Sequence, residues 1–147
     1  MRIYLGVTVR GDRSALEAAR YVARRLQERG HEILTTHLLL DDVEAVEQSR
    51  SDQEIYLRDM VWVESCDVLV AEASGSSYGV GFEVGYLLGR APQTGQRAIV
   101  MYRRDRHPVI SRLITGLTSA HGRVFPYESE ADLDRVVDAV EQSGTGA

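Results

Sequence analysis

The sequence predicts an α/β fold: a doubly wound, five-stranded, mostly parallel sheet of the Rossmann or flavodoxin-like type, with helices on both faces. Three observations predict it. Short, apolar, β-branched runs recur along the chain, longer segments of helical periodicity separate them, and a length of 147 residues suits one domain of the usual size, about 100–200 residues. Such alternation marks parallel strands joined by crossover helices.

Strands are expected at Ile3–Val9, Glu32–Leu39, Asp67–Ala73, Arg97–Tyr102 and Arg123–Tyr127. After the first, Ser14 and Glu17 have the spacing of a capping box, and Gly30 stands where a helix ending at Arg29 would turn left-handed. Leu40–Arg50 is acidic and polar with Val43 and Val46 at helical spacing, so a loop and a marginal helix are both open. Ser51 and Glu54 repeat the capping box before a helix reaching about Ser65. Further helices are expected over Gly79–Gly89, Pro108–Leu117 and Glu130–Gln142. Residues 1–142 thus read as a single domain and 143–147 as a flexible tail.

Composition narrows the function. A formal charge of -5 argues against general binding to nucleic-acid backbones, which needs clustered cations. All 17 basic residues are arginine, which excludes lysine-based Schiff bases and Walker-type phosphate loops. Cys66 is the one cysteine, leaving no disulfide and no zinc cluster, and a cytoplasmic location is expected. No apolar run approaches the ~18 residues of a membrane span. An untargeted chain without membrane, metal or cofactor is the expectation.

In a doubly wound sheet, ligands lie beyond the carboxyl ends of the strands, near the switch in strand order. The segment after the third strand, Ser74-Gly75-Ser76-Ser77-Tyr78-Gly79-Val80-Gly81-Phe82-Glu83-Val84-Gly85, places hydroxyls and backbone N–H groups at a helix start, which suits an anion. Glu83 shares an apolar face with Gly79, Val80, Tyr86 and Leu87. A carboxylate there is either paired structurally or kept for chemistry. Asp59 repeats the pattern on the stripe of Ile55, Trp62, Val63 and Cys66, with an exposed position on a wide helix as the alternative. Two such carboxyl groups can divide the tasks of nucleophile and acid, as glycoside chemistry does. Arg10 and Gly11 follow the first strand, where a guanidinium suits phosphate or a base edge. Tyr4 either sends its hydroxyl to a carboxylate or serves as core, and His37 either lines a pocket or sits beneath a loop. Arg103, Arg104, Arg106 and His107 read as a solvated basic loop, and Ser111 as a surface hydroxyl beside an apolar face.

Together these residues resemble the 2′-deoxynucleoside 5′-phosphate N-hydrolase family of the nucleoside 2-deoxyribosyltransferase superfamily. Tyr4 with Val9-Arg10-Gly11, Thr36-His37, Leu57–Trp62 leading to Asp67–Glu72, Ser77–Gly85 and, more weakly, Ile110–Gly116 carry the resemblance. It implies a homodimer that hydrolyses deoxynucleoside monophosphates to free base and 2-deoxyribose 5-phosphate without metal or cofactor. Glu83 would be the nucleophile, Tyr4 would orient it, and Asp59 would be the acid. Arg10, Ser77, Gly79 and Ser111 would hold the phosphate, Ser111 from the partner subunit, with Gly11 also in the substrate site and His37 and Leu113 toward the base. Val7-Thr8 stand where the family tends to have glycine and serine, and Leu113 where methionine is frequent, which leaves the preferred base open. Rival readings are a deoxyribosyltransferase, a ribonucleotide N-glycosidase and a nucleotide-sensing module without turnover.

Overall fold

The computed structural model describes residues 1–142; the expected tail, 143–147, lies outside the described residues. Strands β1 (Arg2–Gly6), β2 (Glu32–Ile33), β3 (Val68–Glu72), β4 (Arg97–Arg103) and β5 (Gly122–Tyr127) form one sheet in the order β2-β1-β3-β4-β5. All four pairings are parallel, the flavodoxin-like order with its switch point between β1 and β3. The helices are α1 (Leu16–Glu28), α2 (Val43–Glu47), α3 (Asp52–Ser65), α4 (Tyr78–Thr94), α5 (Arg112–Thr115) and α6 (Glu130–Glu141).

Strand side chains alternate between faces, and both faces are apolar because both are covered. Ile3, Leu5, Val68, Val70, Ile99 and Met101 pack with α1 and α6. Tyr4, Leu69, Ala71, Ala98 and Val100 pack with α3 and α4, against Val63, Val80, Val84 and Leu87. Fully burying one Leu or Val contributes roughly 1.5–3 kcal/mol, against about 0–1 kcal/mol for an exposed ion pair. The two cores therefore hold the sheet. This alternation also sends Tyr4 toward α4.

Several expected boundaries shift for identifiable reasons. The Ser14–Glu17 capping box does not form: the Ser14 N–H donates to Asp12 Oδ1 at 2.8 Å, Ala15 caps α1 without a side-chain bond, and Glu17 pairs with Arg20 at 2.6 Å. Gly30 does close the helix end, at φ +81°. The second strand is short because Thr35 takes over its edge. The Thr35 hydroxyl donates to the Leu5 carbonyl and accepts from the Leu5 N–H, and the chain then enters a 3-10 turn at Thr36–Leu39. Leu40–Arg50 holds α2, so the marginal helix is the correct alternative. Helix α4 runs past Gly89 to a left-handed cap at Gly95, Pro92 being tolerated in the last turns. The apolar stretch Pro108–Leu117 keeps only the four-residue α5. The basic loop is tied down: Arg103 reaches Asp105, Arg104 reaches Glu128 and Arg106 reaches Asp12.

Candidate active site

At the switch point the chain leaves β1 toward α1 on one face and β3 toward α4 on the other, opening a crevice between them. It is a cleft of about 430 Å³, within the usual range for a small-ligand site. Glu83, Asp59, Arg10, Ser77 and Gly79 all line it. Glu83 reaches it from the second turn of α4, where the apolar face of the helix meets the sheet. The buried Tyr4 hydroxyl donates to Glu83 Oε1 at 2.6 Å, while Oε2 is buried without a partner. Burial is the main force pushing the Glu83 carboxyl up to about 7; the Tyr4 hydrogen bond opposes it and the charge of Asp59 adds to it. An oriented carboxylate with one free oxygen and weak solvation is a nucleophile or base in waiting.

Asp59 stands on α3, beside Arg58. Arg58 Nε and Nη2 both contact Asp59 Oδ1, at 2.8 and 2.7 Å. The same guanidinium donates to Glu47 Oε1 and Oε2 at 2.8 and 3.2 Å. Burial raises the affinity of Asp59 for its proton, and Arg58 works against that shift. His37 is not a wall of the cleft: its ring packs on Trp62 with centroids 5.5 Å apart, and its Nε2 lies 3.4 Å from Glu47 Oε1. His37 thus packs on α3 and faces α2 from its place in the 3-10 turn.

The other end of the cleft gathers hydrogen-bond donors. The Ser77 side chain caps α4 by accepting from the Val80 N–H at 3.4 Å, which leaves its O–H proton available to a ligand. The first-turn N–H groups of α4 have no carbonyl one turn earlier to bond. Arg10 lies across the opening with a largely exposed side chain, 3.7 Å from Glu44. Gly11 has φ +114°, a conformation other residues rarely adopt, so it shapes the Arg10 turn and is not itself a cleft wall. Ser111 and Leu113 are not gathered into the cleft of this chain: Ser111 caps α5 and Leu113 is 86% exposed.

The sequence pattern of the nucleoside 2-deoxyribosyltransferase family matches residues 3–144. The chain belongs to that family. Among its relatives is a Thermofilum pendens protein with the provisional name 2′-deoxynucleoside 5′-phosphate N-hydrolase 1, 37% identical over 100% of this chain and 97% of its own. The mouse 5-hydroxymethyl-dUMP N-hydrolase is 31% identical over 99% of this chain and 84% of its own. In shape the chain is similar to the Clostridium botulinum CMP N-glycosidase, with a TM-score of 0.68 and 18% identity over 95% of this chain and 99% of that one. That likeness concerns the fold.

In this member of the deoxyribosyltransferase family, three residues make close contacts at or beside the cleft that a reading of the sequence does not supply. Gly6 is one: a Cβ there would stand 3.0 Å from Glu83 Oε2, and a glycine closing an apolar strand was the available signal. Gly75 is another, since a Cβ would meet Thr8 Oγ1 at 2.3 Å and the Asp12 carbonyl at 2.5 Å. Glu47 is the third, hidden in an acidic segment that reads as solvated. Among the described residues no group of three or more His, Cys, Asp or Glu side chains is placed to hold a metal ion, and no helix is long and apolar enough to cross a membrane.

Proposed function

We propose that this chain hydrolyses the N-glycosidic bond of 2′-deoxynucleoside 5′-monophosphates to free base and 2-deoxyribose 5-phosphate. The observation that carries the reading is Glu83: one oxygen held by Tyr4, the other unpartnered, in a cleft that also contains a second carboxyl group. Glu83 attacks C1′ as the C1′–N bond breaks, and the electron pair leaves with the base, which takes its proton from Asp59. A glycosyl ester results. Asp59, now anionic, accepts a proton from water, whose oxygen attacks C1′ and releases Glu83. Ser77, the start of α4 and Arg10 hold the 5′-phosphate and position C1′.

We further infer a homodimer in which Ser111 of one protomer completes the phosphate site of the other. Leu57, Val61, Tyr78 and Phe82 are 52–98% exposed on α3 and α4, and Gly81, Gly85 and Gly89 have nothing within 4 Å of an added Cβ. A face so apolar is what a second copy would cover. The buried, unbridged Cys66 thiol fits a reducing compartment such as cytoplasm.

The test is base release from matched deoxynucleoside monophosphates, deoxynucleosides and ribonucleotides. Monophosphates with deoxyribose are expected to be cleaved with the highest kcat/KM. Comparable rates on unphosphorylated nucleosides, with exchange onto an added base, would make the chain a transferase; no release at all would leave a binding module.

A further inference from the structure

We propose that Glu47 and Arg58 are positioning residues for the acid step, forming a two-sided clamp that divides one guanidinium between two carboxylates and thereby aims Asp59. The proposal rests on the reading of Asp59 as the acid. Its geometry stands independently. Both Arg58 contacts to Asp59 fall on Oδ1, and Oδ2 has no hydrogen-bond partner among the described residues. One oxygen is the anchor; the other is free to carry a proton to a departing base. On its far side the guanidinium meets both oxygens of Glu47, a carboxylate only 8% exposed on the short helix α2. Burying a charge on so marginal an element is unfavourable without a partner, and Arg58 is that partner.

The division of charge matters because an acid must hold its proton. A guanidinium committed to Asp59 alone would keep it as the anion. Glu47 draws off part of that field, and its own negative charge also favours protonation of Asp59. The other charged or titratable groups facing this pair are His37 from the 3-10 turn, Arg50 beyond Glu47, Glu83 from α4 and Tyr4 from β1. Glu44, Asp52 and Arg10 share the same cleft. Trp62 braces the clamp, with the guanidinium 5.0 Å above its ring. Segment α2 thus sets the acid without touching it.

The two partners should move Asp59 in opposite directions. In Glu47→Gln, Arg58 is left to Asp59 alone, and the Asp59 carboxyl should titrate lower by roughly one pH unit. In Arg58→Gln, the loss of the cation beside Glu47 should make it titrate higher. Carboxyl-carbon NMR of the substrate-free protein reads both shifts directly. With substrate, the alkaline limb of the kcat profile should follow, moving down in Glu47→Gln and up in Arg58→Gln. Glu47→Asp should restore more than half of the Gln shift. A helix prop without this role would not displace the titration in opposite senses. If Glu47→Gln does not fold, Glu47→Asp takes its place, with a smaller downward shift of Asp59 expected and no shift overturning the clamp. Unchanged Asp59 titration in the folded variants would overturn the clamp even if the enzyme is active. The expected NMR shifts in a protein that cleaves no deoxynucleotide would keep the clamp and overturn the hydrolase reading instead.

Discussion

Tyr4→Phe removes the hydrogen bond that Glu83 accepts and leaves a buried carboxylate with less to stabilise its charge. Its pKa should rise above about 7, moving the acidic limb of kcat/KM upward. The rate should fall roughly 10- to 100-fold, because a hydrogen bond to a charged group contributes about 1.5–3 kcal/mol. Asp59→Asn should move the same limb the other way, since Asp59 raises the Glu83 pKa; pH profiles of both variants check the signs. Gly6→Ala presses a methyl against Glu83 Oε2, 3.0 Å away, and should lower kcat about tenfold or more through misplacement while the fold survives. Steady-state kinetics beside a melting curve separates the two. At this scale the sequence is legible where a residue violates its surroundings. Glu83 and Asp59 stand out because carboxylates do not belong on apolar stripes, and the structure brings both to one cleft. Gly6 offers only the weak signal of a glycine in an apolar strand and Glu47 none, since their contacts run across the sheet or between helices.

Ser77 caps α4, and the proposed function gives it a second task at the phosphate. Ser77→Ala loses the cap and about 1 kcal/mol of stability, whereas glycine at that position costs only a few tenths. Both should weaken discrimination for the monophosphate over the nucleoside to the same degree, which thermal melts and the ratio of kcat/KM values resolve. The loop before α4 is anchored from the other face of the sheet. Buried Glu72 accepts from the Ser74 hydroxyl at 2.5 Å, the Ser74 N–H at 3.1 Å and the Tyr127 hydroxyl at 3.1 Å. Burial raises its carboxyl to about 7, above its unfolded value. The folded state therefore binds the proton more tightly, a contribution to stability that is full at low pH and lost as pH rises through about 7. Glu72→Gln should flatten the dependence of Tm between pH 5 and 8; an unchanged slope would show that Glu72 does not govern it. Elements with strong periodicity or a formed capping box, such as α3, are legible almost to the residue. The Ser14 box is not, because the nearby Asp12 carboxylate captures the Ser14 N–H, and the second strand is cut short by a side chain, Thr35, that mimics the ladder.

As a whole molecule, the parallel sheet follows from alternation alone, and its order puts the crevice where doubly wound folds bind ligands. The proposed homodimer belongs to this scale. Ser111 and Leu113 stand outside the cleft of this chain, so if Ser111 acts on a second copy as proposed, mixing Glu83→Ala with Ser111→Ala chains should restore activity in heterodimers. Sedimentation as a monomer with full activity would remove that part of the account. In the proposed reaction Glu83 attacks the sugar of a bound deoxynucleotide. That attack is tested most directly by the rate of base release from a deoxynucleoside monophosphate in Glu83→Gln beside wild type, with binding of the nucleotide measured in parallel. The predicted result is retained binding and a loss in kcat of roughly a thousandfold or more, a group acting mainly in the transition state having been removed. Base release within a few-fold of wild type would contradict it.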